Sequence, residues 1–460
     1  MKGSEIVEKK SNLMTEGIIW KQLLLFSIPL LIGNLFQQLY NTVDSIIVGN
    51  YVGSAALAAV GASTPIINLL VGFFMGIATG AGIIISQFYG AKDDHRLEES
   101  VHTSFALSIL AGIFLTIFGI IFSPMILKVM GTPDDIFSDS VIYLRIYFVG
   151  SLFLLLYNMG AGVLRAVGDS KRPLYYLCIS SVINIVLDLL FVVVFKMGVA
   201  GVAWATLIAQ GVSAVLLMTQ LIKSHENYAL TIKKIKIHKM VLKEIILVGI
   251  PTGLQQVIVS LSNAIVQSSI NGFGSAAVAG CSAYIKLDGF MILPIMSFGM
   301  ASTTFTGQNL GAQQYDRIRK GLRTSLVMTS IYTISVSIVV YLFGAEMLKI
   351  FSQEEDVLYY GRLMLNSLIP AYLTLAIMQS LVGTVRGAGK TMVTMIISIL
   401  SLCVVRVLWI TLVLKFNPSI EGVFYGYPVS WVVGALLMIV YVLKGNWLPN
   451  HEICTELALE

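Results

Sequence analysis

Charge is scarce in this sequence. Lys, Arg, Asp and Glu make up 12% of its 460 residues, against 56% hydrophobic residues and a mean hydropathy of +0.84. Soluble domains carry about 25% charged residues, so the solvent of this chain is a bilayer. Cysteine is nearly absent: Cys178, Cys281, Cys403 and Cys454 have no CxxC or zinc spacing. That excludes a disulfide scaffold and a zinc module, and leaves them as small apolar fillers. The five histidines (His95, His102, His225, His238, His451) are scattered without metal-ligand spacing. No cleavable leader is expected, because the first twenty residues are polar and the apolar run after them is too long for a signal segment. GAGKT at 387–391 looks like the end of a phosphate loop, yet the required first glycine is Thr384 and no strand precedes it. No nucleotide, other cofactor, resident metal or nucleic-acid partner is expected.

What the chain has is apolar runs long enough, at 1.5 Å per residue, to cross a hydrocarbon core of about 30 Å. Twelve are expected, near 20–48, 55–88, 98–122, 139–162, 173–195, 200–222, 242–270, 277–308, 320–343, 357–384, 392–414 and 423–444. They read as helices, since the strands of a membrane barrel are shorter and alternate apolar with polar residues.

The chain also reads twice. NYVGSAALA at 50–58 returns as NGFGSAAVA at 271–279, a spacing of about 221 residues that persists along the chain. Gln87, Gly90 and Ala91 recur as Gln308, Gly311 and Ala312; Arg96 as Arg317; Arg165 and Gly168 as Arg386 and Gly389. Pro29 is answered by Pro251. A duplicated six-helix unit with an even number of spans gives two lobes of one orientation, related by a pseudo-two-fold axis along the membrane normal. The expected division is an N-terminal lobe over 1–222, a basic linker over 223–243 and a C-terminal lobe over 244–460.

Basic residues crowd one side of this topology, including Lys92, Arg96, Lys171, Arg172, Lys233, Lys234, Arg317 and Lys320, while the opposite loops hold only Lys128, Lys196, Lys349 and Lys415. Loops rich in Lys and Arg stay cytoplasmic, so both termini are expected there, in a multi-pass protein of the cell (inner) membrane. Topology accounts for the net charge of +5. The basic linker can also meet anionic lipid. Nothing calls for a second chain, and a monomer is expected.

Charges inside the spans are few and mark function, because an ionisable group in hydrocarbon costs several kcal/mol unless paired or hydrated. They are Asp44, Asp188, Lys286, Asp288 and Arg406. Helical rise sets Asp44 about 35 Å from Lys21 and Asp188 about 22 Å from Pro173, both in the outer half, with Thr206 at a similar level. Tyr40 and Asp44 share one helix face, as do Asn184 and Asp188. Oxygen ligands without His or Cys suit a proton or a hard monovalent cation, so Asp44, Asn184, Asp188 and Thr206 are expected to bind a coupling ion, H⁺ or Na⁺. The plain alternative is that the two aspartates are interhelical hydrogen-bond anchors. The duplication supplies a comparison: the counterparts Val266, Val405, Trp409 and Tyr427 carry no carboxylate. In the second half, Asp288 either faces a central cavity and attracts a cationic substrate or forms a buried pair with Arg406 or Lys286.

At this point the chain resembles multidrug and toxic compound extrusion (MATE) transporters. The matching stretches are PLLIGNLFQQLYNTVDSIIVGNYVGSAALAAVG (29–61), VLRAVGDSKRP (163–173) with its echo TVRGAGKT (384–391), and MSFGMASTTFTGQNLGA (296–312). The resemblance implies two six-helix bundles around a central cavity that opens alternately to either side, exporting organic, often cationic or amphiphilic compounds against H⁺ or Na⁺. It puts Asp44, Asn184, Asp188 and Thr206 on the family's first-lobe cation site and Tyr40, Tyr143 and Asn158 near the first-lobe cavity. Further acidic coupling residues found in some members are missing: span 7 has Gln255 and Gln256 instead. Gln256, Lys286, Asp288 and Arg406 are candidate substrate contacts in the second lobe, and Pro29 with Gly33 a candidate hinge in span 1. Other readings are a flippase for lipid-linked saccharide or cell-wall precursors, which needs a basic cavity, and a channel. An intramembrane enzyme needs a catalytic constellation inside the spans that the sequence lacks.

Overall fold

Apolar segments of this length satisfy their backbone in lipid only by coiling on themselves, and the computed structural model of the chain describes residues 13–448 as helix after helix, with no strand among the described residues. The expectations placed on His451, Cys454 and the two chain ends lie outside the described residues. The first lobe contains α1 (Ile19–Ile47), α2 (Ser54–Ala91), α3 (Asp94–Val129), α4 (Asp134–Val149), α5 (Ser151–Ala166), α6 (Lys171–Asp188) and α7 (Gly198–Ile222). The second contains α8 (Lys239–Asn271), α9 (Ser275–Gly311), α10 (Tyr315–Leu348), α11 (Glu355–Leu368), α12 (Tyr372–Gly387), α13 (Thr391–Ile399), α14 (Arg406–Phe416), α15 (Ile420–Phe424) and α16 (Gly426–Lys444). Among the described residues, eleven stretches are long and apolar enough to cross a membrane, and twelve if α4 and α5 count as one span.

The spans are less regular than their apolar patterns suggest. The segment expected at 139–162 is α4 and α5, bent by 45° at Gly150. Thr116 of α3 donates to the Phe148 carbonyl at this break, at 2.9 Å. The segment expected at 357–384 is α11 and α12 joined by a 3-10 turn at Ile369–Ala371, where Pro370 removes a helix donor. Among the described residues, three stretches widen to π-helix: Val48–Val52, Leu189–Val194 and Leu400–Val405. The linker expected over 223–243 ends at His238, since α8 begins at Lys239. It lies along α3, where His102 accepts the Thr231 N–H at 3.0 Å and Thr103 accepts that of His238 at 3.1 Å.

The repeats meet each other most closely at the end carrying the basic loops. A Cβ on Gly76 or Gly80 of α2 would lie 2.3 Å from Gly253 or Gly249 of α8, so only glycine allows these helices to cross this closely. Farther toward the basic end, Gly90 of α2 faces the Gln308 carbonyl and its counterpart Gly311 of α9 faces that of Gln87. The Gln87 amide donates to the Gly387 carbonyl at 3.1 Å, and Gln308, its counterpart, donates to Ala166 at 2.7 Å. The adjoining turns require Gly168 (φ 91°) and Gly389 (φ 80°), again repeat-related.

Two helices change lobes on the way. Leu23, Phe26 and Leu30 of α1 pack with Ala301 and Phe305 of the second lobe, whereas Gly33 lies against Leu174 and Leu177 of α6. Val241, Ile245 and Val248 of α8 pack with Ala78, Ala81, Ile84 and Met159 of the first lobe, whereas Gln255 donates to Ser398 of α13 at 2.8 Å. Pro29 and Pro251 stand at the two crossing points. Toward the opposite end, α1 exposes Gln37, Gln38 and Asn41, α2 exposes Thr64 and Asn68, and α8 exposes Gln256, Ser260 and Asn263. Polar side chains at membrane depth face water rather than lipid, so these rows mark a cleft between the lobes.

Candidate functional site

In the first lobe α1, α4, α6 and α7 bring their polar residues to one place. Asp188 is the last residue of α6, fully buried at 0% exposure, and Asn184 lies one turn before it at 2%. The π-helical stretch that follows Asp188 is a local widening of the kind that recurs at functional sites. Asp44 of α1 is a neighbour of Asp188. Tyr40 lies one turn before Asp44, and Tyr143 of α4 comes up beside both carboxyls.

Among the described residues no protein donor reaches Asp44 Oδ1, either oxygen of Asp188, or either polar atom of the Asn184 amide. Buried polar groups are nearly always satisfied, and an unpaired buried charge is costly. Two carboxyls facing each other cannot both keep an unshared charge, and one proton or one monovalent cation between them satisfies both. The Asn184 carbonyl supplies a third oxygen. Two carboxylates and an amide form an all-oxygen donor set with two negative charges, one of which a bound H⁺ or hard monovalent ion offsets; such a set suits these ions and not a transition metal.

A cavity of about 50 Å³ adjoins this cluster, room for a few waters. Tyr40, Asn158, Asn184 and Thr206 line it together with Gln37, Tyr157, Ser180, Ser181, Gln210 and Ser213. Thr206 and Asn158 thus share a wall of the cavity with Asn184. The six additional residues went unread as site members, although a signal exists. Ser180, Asn184 and Asp188 repeat every four residues on one face of α6, and Thr206, Gln210 and Ser213 at spacings of four and three on α7.

The second lobe does not form the ion pair considered for it. Arg406 is 2% exposed. It donates to Asn263 at 2.9 Å and to Ser430 at 3.0 and 3.1 Å, with its guanidinium 4.5 Å from the centre of the Tyr427 ring. Asp288 is half-buried, with Oδ1 reaching no donor among the described residues, and it neighbours Tyr284 and Tyr427. Lys286 is exposed, as is Gln256, whose Cβ lies near Gly72 of α2. A pair between Asp288 and either base fails because Arg406 turns to neutral oxygens and Lys286 points to the surface. Pro29 is buried inside α1, at the crossing between lobes.

Comparison with known proteins agrees with this architecture. The chain is 33% identical over 445 residues to the "Probable multidrug resistance protein YoeA" of Bacillus subtilis, covering 95% of each chain. It is 30% identical to "Probable multidrug resistance protein YpnP" of the same organism, over 94% of this chain and 97% of that one. Among solved structures, an "Outward-facing conformation of a multidrug resistance MATE family transporter of the MOP superfamily" superposes with a TM-score of 0.88 at 24% identity, covering 94% of this chain and 97% of that one. The MatE family profile matches twice, over residues 29–190 and 251–411, once in each lobe. With both halves matched, the chain belongs to the MatE family of membrane transporters.

Proposed function

We propose that this protein is a secondary active antiporter that exports organic cationic or amphiphilic compounds in exchange for H⁺ or Na⁺ by alternating access. The observation that carries the reading is the neighbouring Asp44, Asp188 and Asn184 of one lobe, where Asp188 and Asn184 are buried and no protein donor reaches Asp44 Oδ1, either Asp188 oxygen or the Asn184 amide among the described residues. The description of the two Bacillus relatives as probable multidrug resistance proteins supports export of drug-like compounds. The excess of basic loops on one side supports a cell (inner) membrane protein with both termini in the cytoplasm.

With the basic end closed, the cleft opens on the other side, where the cation enters the first lobe. Its charge offsets that of the two carboxyls and weakens the hold of the lobe on a cationic substrate, which leaves. The ion drives the exchange only through its different affinity for the two arrangements. Tyr40, Tyr143 and Asn158 then serve the first-lobe cavity, and Gln256, Lys286 and Asp288 the second-lobe wall of the cleft. Bending at Pro29, with Gly33 beside it, lets α1 follow one lobe at its start and the other at its end.

Proteoliposomes loaded with an organic cation test this reading. Outward substrate movement accompanied by equivalent inward H⁺ or Na⁺ movement supports antiport. Movement of lipid-linked saccharides without ion counterflow would make the protein a flippase, and flux that does not saturate with substrate would make it a channel.

A further inference from the structure

The duplication allows the two lobes to be compared position by position around the cation cluster. In the first lobe, α1, α6 and α7 surround it. Their counterparts are α8, the span built from α13 and α14, and α16. Arg406 lies among these three. It begins α14 directly after a π-helical stretch, as Asp188 directly precedes one. It stands one turn before Trp409, the counterpart of Asp188. Its guanidinium stacks on Tyr427, the counterpart of Thr206, and donates to Asn263 of α8, which matches the 41–42 turn of α1 just before Asp44. Where the first lobe has a cluster of oxygens awaiting a positive charge, the second lobe holds a guanidinium.

We propose that Arg406 is a tethered cation, the permanent occupant of the place that the first lobe fills with an exchangeable ion. This rests on the first-lobe reading above. Its buried charge meets only neutral partners: the oxygens of Asn263 and Ser430 and the face of Tyr427. The ion pairs among the described residues all lie elsewhere. A guanidinium covalently attached to α14 cannot leave, so the second lobe stays in the cation-loaded arrangement through the whole cycle. One lobe exchanges and the other does not. Efflux therefore depends on the coupling ion as on a single site, and Arg406 acts as a positioning charge for the second-lobe wall of the cleft.

The test compares wild type, Asp188→Asn and Arg406→Ala in proteoliposomes, measuring substrate efflux against ion concentration with and without millimolar guanidinium. Wild type should follow a simple single-site curve. Arg406→Ala should lose about tenfold or more in rate and recover saturably when guanidinium is added, while Asp188→Asn should not recover. Should Arg406→Ala fail to fold, the pair Arg406→Lys and Arg406→Met decides the matter. The charged replacement should transport faster than the neutral one of similar length, at equal thermal stability. Wild-type efflux by Arg406→Ala without guanidinium, or equal losses in Lys and Met, overturns the tethered-cation role and leaves the first lobe untouched. Unaltered ion dependence in Asp188→Asn instead overturns the first-lobe reading on which it rests.

Discussion

Gln87 and Gln308, 221 positions apart and equivalent in the duplication, each donate a side-chain amide to the backbone of the opposite lobe, at Gly387 and Ala166. This reciprocal pair holds the basic end of the cleft shut. Gln308 does more, since its Oε1 accepts the Met14 N–H at 2.7 Å. Removing both amides with Gln87→Leu and Gln308→Leu forfeits bonds worth about 1 kcal/mol each. The open fraction at the basic end should rise by about tenfold to thirtyfold. Alkylation of a cysteine introduced at Ala166 reads this directly; unchanged labelling means that the latch contributes nothing.

Steric contact closes the same end. A Cβ at Gly90 would come within 1.9 Å of the Gln308 carbonyl, and one at Gly311 within 1.9 Å of that of Gln87. Backbone cannot give way as a side chain does, so Gly90→Ala should disfavour the closed basic end by about 1–3 kcal/mol and slow transport in proportion. Gly61→Ala, on the same helix with nothing within 4 Å, is the control and should transport normally. Comparable losses in both variants would remove close packing as the cause.

Arg317 ties the segment before α1 to the second lobe. Its Nη2 donates to the carbonyls of Glu16 and Gly17 at 2.8 and 2.9 Å and to Gln22 at 2.9 Å. Asn309 adds a bond to the Met14 carbonyl at 3.2 Å. Arg317→Ala should release this strap, losing about 1–3 kcal/mol locally. Limited proteolysis of the purified protein then cuts within residues 13–17 faster than in wild type, while the helices resist as before.

How much of this was legible beforehand depends on the type of signal. Rare charges in apolar spans and the i, i+4 faces of Asn184–Asp188 and Tyr40–Asp44 led to the cluster without coordinates. The register identified Gln87 and Gln308 as equivalents, yet a repeat match does not say that each residue bonds across the axis. The breaks at Gly150 and the three π-helical stretches have no residue signature, because a widened turn shifts the hydrogen-bond register without needing a particular side chain. Arg406 and Asp288 looked like partners because both are charged in apolar spans. The Ser430 hydroxyl and the Asn263 amide oxygen take the Arg406 guanidinium instead. The lobe exchange of α1 and α8 left only Pro29 and Pro251 as its trace.

Pro29 lies where α1 passes from one lobe to the other. Alanine at this position restores a backbone donor and the helix hydrogen bond that proline removes. Pro29→Ala should therefore stiffen α1, keep or raise the melting temperature, and slow transport by about tenfold. A fall in stability matching the fall in transport would assign Pro29 to packing rather than bending.

The central claim is that one exchangeable cation binds between Asp44 and Asp188. Cation binding by the purified protein, followed as proton release across a pH jump and as radioactive Na⁺ uptake, measures it most directly. The account predicts one cation of one kind per chain, lost in Asp44→Asn and equally in Asp188→Asn, with no further loss in the double variant. Binding at the wild-type level in either single variant, with the protein folded, would contradict it.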